Sequence, residues 1–393
     1  MSKVAKAAVG LMAATLVAKI LGFGRELALA SAYGASGVSD AFLVAMNIPA
    51  VIFTAIGTSL GTAFIPLYCE VNANKGEQSS NKFTNNVFNI VVIICLVLSV
   101  IGAIFTPQIV KIFAVGFEGE TLRLAIYFTR VMILGLAFLG MSYIMMAYLQ
   151  VKENFIIPGF MSVPYNILII ISIIVSVKIS PYLLPWGTLI GLSLQFLFQL
   201  PFAIKKGYRY KLYIDVKDEH LKRMLWLIAP VLIGVAVNQI NTIVDRTIAS
   251  TLVEGSISAL NYATKLNQFV MGMFIVSISS VVYPMLSKLS SENNKEQFNK
   301  SIITSVNTVT LLVIPISIGA IILANPIVKL LFQRGEFDVR ATQMTAVALI
   351  FYSIGMIGYG LRDILGKVFY SLQDTRTPMI NGVIAMVLNI TLN

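Results

Sequence analysis

Apolar residues in this chain come in long unbroken runs, unlike the alternation of a half-buried strand or the stripe of a surface helix. Eleven runs stand out, at about 8–32, 40–68, 84–106, 121–149, 155–177, 182–204, 222–251, 256–287, 300–323, 341–371 and 377 to the end. Nearly all reach the roughly 20 residues that an α-helix needs to cross about 30 Å of hydrocarbon. Backbone polar groups find no water there, so only helices or closed barrels span, and continuous apolar runs are not the alternating pattern of barrel strands. The pattern predicts an all-α, polytopic membrane protein.

The runs also repeat. "GRELALASAYGASGVSDAF" aligns with "VDRTIASTLVEGSISALNY", which sets Arg25 against Arg246. "IFTPQIVKIF" aligns with "ILANPIVKLLF", and "AYLQVKENFIIPGFMSVPYNIL" with "YSLQDTRTPMINGVIAMVLNIT". The spacing stays near 220 residues. Six helices per copy give both halves the same orientation, which predicts two parallel six-helix repeats around a central cavity. The expected organisation is an N-terminal lobe at 1–204 (spans 1–6), a basic linker at 205–221 and a C-terminal lobe at 222–393 (spans 7–11). The second repeat is incomplete, because Asn393 falls inside its fifth helix.

Composition agrees with a membrane setting. The chain is 57% hydrophobic and 12% charged, against about 25% charged for an ordinary soluble domain. A net charge of +11 would suggest nucleic acid in a soluble protein, but here its distribution is what matters. With the N-terminus inside, Lys3, Lys6, Lys75, Lys82, Lys152 and the cluster between Lys205 and Arg223 fall in cytoplasmic loops, while outside loops hold Lys178, Arg334 and Arg340. That asymmetry predicts a cytoplasmic N-terminus. No nucleic-acid partner is expected. A signal-peptide reading of the first 32 residues is disfavoured, because Lys19 interrupts the apolar stretch and cleavage would remove residues that have a partner in the second repeat. Cys69 and Cys95 form no disulfide framework, and the lone His220 lies in the linker. No metal or cofactor is expected, and no nucleotide-binding or hydrolase motif occurs, so the protein is not expected to be an enzyme.

Charges within the spans are the candidate chemistry, because a charge at mid-membrane costs about 2.5–3.5 kcal/mol on insertion scales. Arg25 lies deep in the first run, with Glu26 beside it and with Gly22 and Gly24 placed to allow a bend or break. Asp245 and Arg246 repeat the theme in the seventh run, Lys19 is a second cation in the first, and Lys265 lies in the eighth. An arginine from each half facing one cleft makes an anion site, and the planar guanidinium fork suits diphosphate. Glu26, Asp40 and Asp245 would hold the arginines and limit the charge of the empty site. The competing reading makes these groups structural pairs that snorkel to the interface. For Arg130, Arg362, Asp363 and Lys367, pairing or snorkelling is favoured over a substrate role. The linker reads as a solvated basic loop, with a lipid-headgroup or partner site as the alternative.

Several segments together resemble the MurJ (MviN) lipid II flippases of the multidrug/oligosaccharidyl-lipid/polysaccharide exporter superfamily: "AKILGFGRELALASAYGASGVSDAF", "NQINTIVDRTIAS", "ISALNYATKLNQF", "LFQRGEFDVRATQMT" and "FYSLQDTRTP". The resemblance covers the whole chain. It implies two lobes around a cavity, alternating access, and export of undecaprenyl-diphosphate-linked peptidoglycan precursor across the bacterial cytoplasmic membrane. It carries essential roles onto Arg25, Glu26 and Asp40. Many relatives have arginine where this chain has Lys19, and "YATKL" supplies Lys265 as the second-lobe cation. The family's fourteen spans include a last pair that lines a groove for the lipid tail, and this sequence lacks that pair. The resulting expectation is a diphosphate site made by Arg25 and Lys265, with Lys19 and Arg246 assisting. Membrane lipids and cell-wall synthesis proteins are the candidate partners, and a monomer is the expected state. Flipping of an O-antigen or capsular lipid, drug or cation antiport, and a scaffold role are the other readings.

Overall fold

The protein is described by a computed structural model that covers residues 3–292, 294–374 and 376–392. Among the described residues every regular element is helical, and the chain divides into two compact units, Met1–Glu254 and Gly255–Asn393. The first unit holds α1 (Lys3–Tyr33), α2 (Gly37–Ile104), α3 (Thr106–Phe113), α4 (Gly119–Met132), α5 (Leu136–Val151), α6 (Ile156–Phe160), α7 (Ser162–Lys178), α8 (Leu184–Lys205) and α9 (Glu219–Ala249). The second holds α10 (Ser256–Ser291), α11 (Lys295–Ile322), α12 (Ala324–Phe332), α13 (Val339–Ser371) and α14 (Arg376–Leu392). The second and third expected spans form one helical run, interrupted at Gly76 with φ 76°, a conformation that glycine adopts without strain. Among the described residues eight segments are long and apolar enough to cross a membrane. The expected spans 1, 7 and 11 coincide with α1, α9 and α14.

The repeat boundary at 222 does not coincide with the boundary between units. Helix α9 opens the second repeat, yet it is tied to α2 and α3 within the first unit. Near one end Arg223 donates to both oxygens of Glu70 at 2.8 and 3.0 Å. Near the other, Thr247 Oγ1 donates to the Ile112 carbonyl at 2.7 Å, and the Gly116 amide donates to Ser250 Oγ at 3.0 Å. The Gly37 amide, at the start of α2, donates to Glu254 at 2.5 Å.

Local geometry sets the register of the repeat. Glu118 and Asp338 are the N-caps of α4 and α13. Glu153 and Gln373, each just past its helix, take positive φ of 59° and 62°. The amides of Asn154 and Asp374 then bond back to Leu149 and Phe369. Gly140 and Gly360 both lie under close neighbours: an added Cβ would stand 3.0 Å from Val91 in one case and 2.9 Å from Ile275 in the other. Each of these pairs is 220 positions apart, and Pro158 and Pro378 continue the series. The pairing of "LQ" with "LQ" drawn from the letters is therefore shifted by three residues. Turn geometry, which the letters do not show directly, decides the register.

The basic linker is an extended strap stapled to α2. Asn81 Nδ2 donates to the Gly207 carbonyl at 3.1 Å, Asn85 to Arg209 at 2.8 Å and Asn89 to Tyr213 at 3.0 Å. Asn86 exchanges two bonds with the Asp215 backbone, at 2.9 and 2.7 Å. A segment with no strand beside it must satisfy its amides and carbonyls elsewhere, and a row of asparagines does so here. The backbone amide of Lys217 and the Tyr213 hydroxyl hold the Asp215 carboxyl below its usual pKa.

Candidate functional site

Helix α1 runs unbroken through Gly22 and Gly24, so the break that these glycines allow does not occur. Glycine permits a break without imposing one, and the alanine- and leucine-rich flanks favour helix. Gly22 instead faces α7, where an added Cβ would sit 4.0 Å from Asn166 Nδ2. Three residues on, Arg25 meets the same asparagine.

The Arg25 guanidinium is divided between two acceptors. Nη2 donates to Glu26 Oε1 at 2.7 Å and Nη1 to Asn166 Oδ1 at 3.2 Å. The Arg25 and Glu26 side chains are 16% and 3% exposed, which makes this a mostly buried ion pair. Asn166 is itself aimed by a bond from its Nδ2 to the Ser162 carbonyl at 2.9 Å. The Tyr165 ring centroid lies 6.0 Å from the Arg25 Cζ, at the limit of cation–π attraction. Guanidinium has five N–H donors. Two are engaged here, which leaves donors for an added anion.

The remaining predicted site residues are placed as follows. Lys19 is exposed on α1. Asp40 is buried in the first turn of α2, where the helix N-terminus favours a carboxylate. Asp245 is exposed and Arg246 half-buried in the last turn of α9. Lys265 is half-buried on α10, in the second unit. The structure thus joins Arg25 to Glu26 directly. Sequence reasoning missed Asn166 and Tyr165, although a polar Asn166 inside the apolar fifth run was a visible signal.

Behind the same turn of α7 lies a cavity of about 300 Å³. Its walls include Met46, Ala50 and Phe53 of α2, Met132 of α4, Leu139 of α5 and Tyr165 of α7. Ser162, whose carbonyl orients Asn166, also faces it. Thr54, Tyr143, Thr188 and Gln195 line it too, so polar groups interrupt its apolar walls.

In the second unit α13 carries polar groups at the matching register. Ser279 Oγ on α10 donates to Asp363 Oδ2. Lys367 Nζ stands 5.8 Å from the Tyr283 ring and 6.0 Å from Tyr370, and Arg362 Cζ stands 5.8 Å from Tyr359.

Long apolar helices with a mostly buried ion pair among them define a polytopic membrane protein. An inward-facing multidrug resistance MATE family transporter of the MOP superfamily matches with a TM-score of 0.76, over 98% of this chain and 87% of that one. At 12% identity that likeness shows the fold alone. The family is narrower: the chain belongs to the lipid II flippase MurJ family, whose model, described as "Lipid II flippase MurJ", matches residues 29–393. The probable lipid II flippase MurJ of Buchnera aphidicola subsp. Baizongia pistaciae is 30% identical over 394 residues, covering 99% of this chain and 77% of the relative. That of Vibrio cholerae is 30% identical over 409 residues, covering 99% and 76%. A solved structure, "Lipid II flippase MurJ, inward closed conformation", aligns with a TM-score of 0.84 at 31% identity, over 97% of this chain and 80% of that one. The family is one of multi-pass bacterial membrane transporters.

Proposed function

We propose that this chain carries lipid II from the inner to the outer leaflet by alternating access, and that Arg25 is the anchor for its diphosphate. Lys265 is the second cation of that site, and Lys19 and Arg246 assist. The observation that carries the reading is a guanidinium held deep in the first unit by Glu26 and Asn166 with donors left over. Such a group is costly inside a membrane protein and is kept where it meets a substrate. Glu26 sets the empty site near neutrality and holds the fork in place. An arriving diphosphate then competes with a carboxylate for the same donors, which favours binding that can be reversed on the far side.

In this reading the N-terminus is cytoplasmic, as the loop lysines and arginines indicate. Moving each negative charge outward from the negative interior releases about 2.3 kcal/mol per 100 mV. Cations that travel with the substrate cancel part of this. The carrier works as a monomer, and cell-wall synthesis proteins are its candidate neighbours. The test is outward exposure of lipid-linked precursor in cells that depend on this chain. Arg25→Ala is expected to abolish it and Lys265→Ala to reduce it about tenfold, roughly 1.4 kcal/mol, both at normal membrane abundance, and wild-type export in both would overturn the site.

A further inference from the structure

We propose that the strap between α8 and α9 is an interfacial anchor, which sinks Leu212 and its apolar neighbours into the lipid beside α2 and holds anionic phospholipid headgroups with Arg209, Lys211 and Lys217. The inference is independent of the diphosphate reading of Arg25. In an extended chain successive side chains point to opposite faces. Along "YRYKLYIDVK" the even positions Tyr210, Leu212, Ile214 and Val216 are all exposed, Leu212 to 77%. The odd positions are Arg209, Lys211, Tyr213, Asp215 and Lys217. A row of apolar side chains held outward on a fastened strap marks an interaction surface.

Position on α2 selects lipid as the occupant. The strap is fixed to Asn81, Asn85 and Asn89, a rise of about 12 Å along the helix, and Asn89 lies within the apolar span Ala63–Ile104. Ile93 and Leu96, four and seven residues further on, continue the face of Asn89. Both are exposed, as is Val100 beyond them. An exposed apolar face on a spanning helix is one that hydrocarbon covers, so Leu212 stands where that covered face begins. Depth is limited by the backbone. Among the described residues the amides and carbonyls of Tyr210, Leu212 and Ile214 bond to no protein group, which keeps the strap out of the dry core and at the wet headgroup level. Tyrosines suit that level, and the Tyr210 and Tyr213 hydroxyls are turned to Asn89 and Asp215. The charge there is mainly positive: Lys82 Nζ stands 4.4 Å from the Tyr213 ring centroid, and Lys205 and Lys206 precede the strap. A basic segment beside the bilayer draws anionic lipids to it.

The test reads insertion and charge separately on the full chain. Nitroxide labels are placed at Leu212→Cys and, as an exposed control, at Glu292→Cys, both in a Cys69→Ser background that leaves only the buried Cys95. In nanodiscs of phosphatidylcholine and phosphatidylglycerol, the ratio of collision rates with oxygen and with a water-soluble nickel complex is expected to be about fivefold or more higher at Leu212 than at Glu292. Each cation near an anionic surface is worth roughly fivefold in affinity. The triple variant Arg209→Gln, Lys211→Gln, Lys217→Gln is therefore expected to lose at least that much phosphatidylglycerol affinity in detergent, with phosphatidylcholine binding and the thermal melt unchanged. A Leu212 label as open to the nickel complex as Glu292, or unchanged phosphatidylglycerol affinity in the folded triple variant, overturns the proposal. A Leu212 label shielded from both reagents in native membranes but not in nanodiscs assigns the face to a protein partner and overturns it too.

Discussion

The two units carry different side chains at matching positions of the repeat. With the register set by Gly140 and Gly360, the cavity residues Met132, Leu139 and Tyr143 correspond to Tyr352, Tyr359 and Asp363. The N-caps Ser36 and Gly255 of α2 and α10 likewise pair Met46 with Lys265. Inward positions agree where packing rules: Ile144 and Ile364 are both buried, and both glycines admit close neighbours. Elsewhere the copies diverge: the apolar Met46, Met132 and Leu139 give way to Lys265, Tyr352 and Tyr359, and the buried Ser142 and Ala147 to Arg362 and Lys367.

The largest effect is expected at the mostly buried ion pair of the first unit. Arg25→Ala removes the cation of a mostly buried pair, and removing one partner of such a pair costs about 3–5 kcal/mol, read as a lower unfolding midpoint in detergent. Glu26→Gln keeps an acceptor for the guanidinium and should cost less. Next, Met46→Lys gives the first wall the residue of the second, and a lone ammonium among apolar side chains should cost about 2.5–3.5 kcal/mol and lower the folded yield. The shared packing face is tested by Gly140→Ala and Gly360→Ala, each expected to lose about 1–3 kcal/mol through overpacking. Unequal losses in the same melts would show that the two faces are not equivalent. Lys265→Met makes the reverse exchange. It should reduce lipid II export about tenfold, roughly 1.4 kcal/mol of transition-state stabilisation, with an unchanged melt.

The smallest effect concerns the strap. The folded-state pKa of Asp215 lies below its ordinary 3.8, so its contribution is fully present above that value and fades as pH falls through the lowered one. The protection factors of the 207–217 amides, exchange rates divided into the intrinsic rates at each pH, should therefore be flat from neutrality down to about pH 4 and fall below it. A fall between pH 7 and 5 would assign the protection to another group.

Helix positions were legible because apolar runs of spanning length have few other uses. The repeat was legible in outline, yet its register slipped by three residues where "LQ" recurs, because caps and positive-φ turns carry the true alignment. Arg25 and Glu26 stood out because charge is rare in apolar sequence. Asn166 did not, since one amide in a span is a weak signal until something donates to it. The grouping of α9 with the first unit was hidden as well. Its ties are bonds to Ile112, Gly116 and Gly37, made by ordinary serine, threonine and glutamate side chains that advertise no partner.

A connector fastened by amide side chains behaves unlike a loose tether. Enzymes that nick polypeptides need several residues of slack to thread a cleavage site, and the zipper of Asn81, Asn85, Asn86 and Asn89 withholds it despite a lysine- and arginine-rich surface. Trypsin should therefore spare the stretch from Arg209 to Lys217 in the native carrier and cut it promptly once the asparagines are replaced by alanine, so that digestion there reports when the zipper opens.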